Sequence, residues 1–218
     1  MTRVYVFGDE AGNFDFTRGH GASQFFILTT VTMVDDTIGD KLLGVRRQLA
    51  WDGIQLTEEV HASEESQVVR DAVFAALEPL DFRVDSTIFE KPKLLPKYWA
   101  DHNGFYKLAW FQHLKYVAPH IRGLGDELLV IAASLGTRKK QSLLHSAVQD
   151  VVDQVATFSD YRTAFWSASS DPCLWVADHC CWAIQRKWER ADSRSYDLIK
   201  GKIRSEWAVF KHGKTTYY

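Results

Sequence analysis

Two carboxylates near opposite ends of the chain carry the chemistry this sequence offers. Asp9 and Glu10 end an apolar, β-branched stretch that begins Arg3-Val-Tyr-Val-Phe7, just before Gly12. A strand running out there projects at least one acid from a sheet end whose backbone the core fixes, and rigid ends of that kind are where sites are built. The position equally suits an Asp that only caps a turn. Asp178 is the one acid in the apolar stretch Pro172–Ile184. At 100° per residue Leu174, Ala177, Cys181, Ile184 and Trp188 form one stripe, and Asp178 falls at its edge. A carboxylate there is partly desolvated, which raises its pKa unless a cation or donors hold the charge. It reads as a ligand, or as a buried acid paired with an arginine or capping a neighbouring turn.

A strand-end acid early in the chain and a helix acid late in it is a common way to assemble a phosphodiester site, because hard oxygen ligands must converge on Mg2+ or Mn2+ from distant segments. The residues that fit catalysis are Asp9, Glu10, His61 and Asp178, with Asp9, Asp178 and Glu65 as metal ligands; Glu64 and Asp85 are further choices for a third ligand. An imidazole titrates near neutral pH, so His61 suits a general base or a water-orienting group. Its segment, His61-Ala-Ser-Glu-Glu65, also reads as a capping box with Ser63 at the N-cap. Lys91 and Lys93, and Arg138, Lys139 and Lys140, are the cations suited to a nucleic-acid backbone; the last three oppose the dipole of the helix they begin.

The elements that must position these groups follow from periodicity. Arg3–Asp9 and Gln24–Val34 read as an opening hairpin around Gly12, Gly19 and Gly21. Helical spacing follows over 36–51 and 64–77, a third strand over 82–89, and a helix over 104–118. Glu127–Ala133 is a continuous apolar run, as expected of a strand buried on both faces. A helix over 138–155, a last strand over 161–167, the Asp178 helix over 173–190 and a final helix over 196–210 complete a mixed sheet with helices on its faces.

At 218 residues, 46% hydrophobic and 25% charged, the chain suits one domain over 1–218 with a full core. Net charge is -2, but residues 1–90 hold 7 Lys and Arg against 16 Asp and Glu, whereas residues 186–214 hold 9 against 4. An acidic site and a basic rim on one domain suit a metal ion beside a phosphate backbone. Met1 runs straight into the first strand without a signal-like start, and no apolar run approaches the ~20 residues needed to cross a bilayer. The expected compartment is the cytoplasm, with no membrane partner. Cys173, Cys180 and Cys181 read as buried small hydrophobes, and a zinc site from Cys173, His179 and Cys180 lacks a second ligand pair. Trp182 and Trp188 read as core or rim packing. No G-x-S-x-G elbow supports serine hydrolase chemistry.

The opening Val4-Tyr-Val-Phe-Gly-Asp-Glu-Ala-Gly-Asn13 is similar to the D-E-S-G start of the domain of unknown function family numbered 3800, and Leu174-Trp-Val-Ala-Asp178, continued from His179 to Arg186, resembles that family's L-Q-x-A-D helix. The resemblance implies a ribonuclease H-like fold and a metal-dependent nuclease or phosphodiester hydrolase acting on RNA or DNA, in a mobile-element or phage-defence setting. Ala11 stands in place of the motif's Ser, Trp175 in place of its Gln, and Ala132-Ala-Ser134 ends the central strand where ribonuclease H-like enzymes often place an acid. That missing acid favours the alternative, a non-catalytic nucleic-acid-binding or interaction module with an incomplete site.

Overall fold

Strand β1 (Arg3–Ala11) pairs antiparallel with β2 (Phe25–Met33), with Asp9 opposite Thr29. In this computed structural model, which describes residues 2–16, 21–54, 56, 61–133, 138–155 and 157–217, the Lys140 side chain excepted, the hairpin is the centre of a six-stranded sheet. Gly19, Val60 and Ser134 lie outside the described residues. On one side β2 pairs antiparallel with β3 (Arg83–Glu90), and β3 pairs parallel with β6 (Ile203–Ala208). On the other, β1 pairs parallel with β4 (Glu127–Ala133), and β4 with β5 (Asp160–Trp166). The order is β5-β4-β1-β2-β3-β6. A mixed sheet with an antiparallel opening and helices on both faces is the α/β architecture that the sequence leads one to expect.

Alternation along β1 divides the core. Tyr5 and Phe7 face the layer made by α1 (Ile38–Trp51), α2 (Gln67–Leu77) and α6 (Pro172–Arg190), joined by Ile199 at the end of α7 (Arg194–Ile199). Val4 and Val6 face α4 (His102–Ile121), which follows the single turn α3 (Lys97–Ala100), and α5 (Arg138–Gln154). β2 is buried along its whole length, as the middle of a doubly covered sheet requires. β4 also lies inside the sheet, between β1 and β5, with Leu128, Val130, Ile131 and Ala132 buried.

Two expectations need correction. The helix after His61 begins at Gln67, three residues later than the spacing suggests, and its N-cap is Ser66, whose hydroxyl accepts from the Val69 N–H; Ser63 is not the cap. The last helix over 196–210 is instead the short α7 followed by β6. Gly201 weakens helix propagation, and Ile203, Ser205 and Trp207 alternate with Arg204, Glu206 and Ala208, a period-two pattern that finds its partner in β3.

The end of β1 is fixed by close packing. A Cβ on Gly8 would stand 2.4 Å from the Trp110 ring, so the absence of a side chain lets α4 sit directly on the strand beside Asp9. Gly12 has φ of 93°, and a Cβ there would meet the Phe25 carbonyl at 2.2 Å. Gly8→Ala should therefore lower stability by about 1–3 kcal/mol, the usual range for overpacking, and thermal denaturation measures it. Combining it with Trp110→Phe should recover part of that loss, because the second change removes the atoms that collide; strict additivity of the two would contradict the contact.

Candidate active site

Asp9 lies on the same face of β1 as Phe7 and Ala11, the face covered by α6. Asp178 comes from the second turn of that helix, which Pro172 starts and Asp171 caps by accepting from the Cys173 N–H. The two acids come close enough that Asp178 is the neighbouring charge acting most strongly on Asp9. Enclosure by protein, then the Asp178 charge and then that of Glu10, push the Asp9 carboxyl well above the usual carboxylate range. The physical cause is that a carboxyl drawn out of water beside two further acids is favoured in its neutral form.

The segment before α2 completes the surroundings of Asp178. Its Oδ2 accepts from the Ala62 N–H at 2.7 Å, and His61 Nδ1 lies 3.8 Å from Oδ1. Arg70 of α2 holds this segment in place: its guanidinium donates to the Ala62 carbonyl at 2.8 Å and to the Glu65 carbonyl. Beneath the pair, Cys181 is fully enclosed, and burial followed by the Asp9 charge raises its thiol well above its ordinary value. His179 is buried, with Nδ1 donating to the Trp175 carbonyl at 2.9 Å, and burial lowers its imidazole from its ordinary value.

The remaining acids are placed differently. Glu10 points to the opposite face of the sheet, where it is the first charge acting on the buried Tyr106 of α4. Glu65 is buried, and its charge acts on His179. Among the described residues no three His, Cys, Asp or Glu side chains are grouped to hold a metal ion, so neither Glu65 with the Asp9–Asp178 pair nor Cys173 with His179 and Cys180 makes such a set. Asp85 is engaged by Arg83 at 2.7 and 2.8 Å and by the Ser205 hydroxyl at 2.7 Å. On β4, the residue after the Ala132–Gly8 pair is Ala133, which packs on the Asp9 face and offers no ligand.

The lysines expected to meet a phosphate backbone do other work. Lys91 is wholly buried and donates to the Asn13 carbonyl at 3.0 Å, Asn13 Oδ1 at 2.9 Å and the Asp15 carbonyl at 2.6 Å, which ties the β1 turn to β3; burial lowers its pKa to about 8. Lys93 pairs with Glu90 at 2.6 Å. Arg138 and Lys139 are exposed at the start of α5, the helix that follows the Asp9 end of β4; the Lys140 side chain lies outside the described residues. Sequence reasoning missed Arg70 and the arginines of α6, whose signal was the basic excess after residue 186. A cleft of about 730 Å³ opens along α6 from the β1 turn, lined by Gly12, Asn13, Arg70, Trp182, Arg186 and Arg190 among others. Trp182 rests between packing and cleft, with the Arg70 and Arg186 guanidiniums 4.7 and 5.6 Å from its ring centre.

No family model matches the chain, and no curated protein does. Among solved structures, a chain of the PCNA:RNase HII complex from Archaeoglobus fulgidus is similar, with a TM-score of 0.47 and 12% identity over 92% of this chain and 88% of that one. No helix among the described residues is long and apolar enough to cross a membrane.

The raised Asp9 carboxyl sets the sign of a pH effect. Its stabilising contribution is fully present below about pH 4, where an unfolded-chain Asp is also protonated, and is lost as pH rises through the raised folded value. In EDTA, the melting temperature of the parent should therefore fall relative to that of Asp178→Asn between about pH 5 and about pH 8, because the Asn amide removes the second charge and can still accept from Ala62. A difference that stays constant across this range would contradict the raised Asp9 value.

Proposed function

We propose that this protein is a divalent-metal-dependent nuclease or phosphodiester hydrolase. The observation that supports the reading most is the facing pair Asp9 and Asp178, two hard oxygen donors from opposite ends of the chain whose charges repel until a cation or a proton lies between them. The donor set fits Mg2+ or Mn2+: Mg2+ is commonly bound by one or two carboxylates, with waters and substrate phosphate oxygens completing its shell, so two protein carboxylates suffice without a third acid. Asp9 and Asp178 would hold the ion, which when bound would supply charge stabilisation at the scissile phosphate. The resemblance to the family numbered 3800 points the same way.

The chain's own residues divide the remaining work. His61 is part-exposed and close to Asp178, where its imidazole can take a proton from an attacking water while the carboxylate stabilises the imidazolium. The Ala62 N–H orients the Asp178 carboxylate, and Arg70 orients Ala62, so the geometry rests on a backbone clamp. Glu10 contributes a negative charge that acts on Asp9 from the next position of the strand. The second reading, a nucleic-acid-binding module without catalysis, draws on Ala133 standing beside Asp9 where an acid would complete a larger ligand set.

Asp9→Asn and Asp178→Asn should each keep the fold and abolish Mn2+ binding by calorimetry together with cleavage of RNA or DNA. His61→Ala should leave the Mn2+ affinity within a few-fold and lower kcat by about 10²–10⁴, the usual share of a general base. Mn2+ binding that survives either Asn substitution would overturn the metal assignment. Binding without cleavage of any nucleic acid by the parent would leave the module reading standing in its place.

A further inference from the structure

The cleft along α6 is lined by more arginines than acids. Four of its lining residues are the arginines Arg70, Arg186, Arg190 and Arg194, against the two acids Glu189 and Asp192. Both acids are already committed: Glu189 accepts from the Gln24 and Phe25 N–H groups, and Asp192 accepts from Arg186 at 2.7 and 3.1 Å. Arg194 pairs with Asp71, and Arg70 serves the backbone clamp, yet its Nε is buried without a hydrogen-bond partner. Arg190 is exposed and has no ion-pair partner among the described residues. Burial and then the Arg186 guanidinium lower Arg70 from its ordinary value, against the opposing charges of Asp71 and Glu65. Side chains that repel one another in an open cleft are stabilised by an anion between them.

Helix geometry sets the spacing. Asp178, Trp182, Arg186 and Arg190 follow one another at every fourth position of α6, each turned about 40° from the last, so Arg186 lies about 12 Å and Arg190 about 18 Å along the axis from Asp178, on a path that winds slowly around the helix. A single phosphate held at the carboxylate pair cannot also meet either arginine.

We propose that this cleft binds the phosphate backbone of a nucleic-acid strand, with Arg186 and Arg190 meeting phosphates that lie beyond the bond presented to Asp9 and Asp178. The proposal rests on the phosphodiester reading above and names its substrate class as a polynucleotide rather than a mononucleotide. It also moves the backbone contact from Lys91 and Lys93, which the fold uses, to α6.

The test is fluorescence anisotropy of a labelled 12-nucleotide single strand in EDTA, over a series of salt concentrations. Without metal, and with Asp9→Asn as a second background, the result is independent of whether the carboxylate pair binds a cation. The strand should bind more tightly than a nucleoside monophosphate or inorganic tripolyphosphate competes for it. Arg190→Gln should weaken binding roughly 3- to 10-fold irrespective of sequence and lower the slope of log affinity against log salt by about 0.7. Arg190→Lys, which keeps the charge, should restore most of that slope. Arg190 is exposed, so its variants stay folded, and a thermal melt checks this. The proposal is overturned if Arg190→Gln binds with the parent's affinity and slope, if the monophosphate displaces the strand at equal concentration, or if an acidic peptide binds with the same dependence on Arg190.

Discussion

The placing of a second acid, Asp178, beside the enclosed Asp9 carboxyl is the constraint around which this structure is arranged. Asp9 alone at a strand end would be an ordinary turn acid, and Asp178 alone would be an acid at the edge of an apolar helix face. Where they meet, beside the enclosed Cys181, burial and then the Asp178 charge favour the protonated form of Asp9. A compact domain tolerates a cost of that kind where function requires it, and the surrounding chain is built so that the pair cannot relax apart.

Three contacts prevent that relaxation. Trp110 occupies the space that a side chain on Gly8 would fill, which fixes the last residues of β1 against α4. Lys91 gives all its protons to the turn after β1, so the strand cannot fray from its end. Arg70 holds the segment 62–65, and through the Ala62 N–H it holds Asp178. The same arginine lies beside the Trp182 ring at the mouth of the α6 cleft, so the clamp on the carboxylate and the wall of the anion cleft are one side chain.

Much of this is legible in the sequence, and the reasons differ by element. The β4 run Glu127–Ala133 and the helix after Pro172 are visible because each is bounded by clear punctuation and has one unambiguous period. The meeting of Asp9 with Asp178 can be argued only from residue types, since the contact depends on how α6 crosses β1 and spacing holds no record of that. The opposite direction of Glu10 follows from strand alternation alone, which places neighbours on opposite faces. Lys91 misleads because a loop lysine is usually solvated, and nothing local signals the three acceptors that the β1 turn supplies. β6 resembles helix because its apolar residues fit both periods over so short a stretch; pairing with β3 decides the matter.

The central claim is that one divalent cation binds between Asp9 and Asp178. The most direct measurement is a crystal structure of the protein soaked in Mn2+, with diffraction data collected to give the metal's anomalous signal. The account predicts an anomalous peak between the two carboxylates, with an oxygen of each as ligand and Ala62 still donating to Asp178. A map with no peak there, or with Mn2+ bound only at other acids, would contradict it.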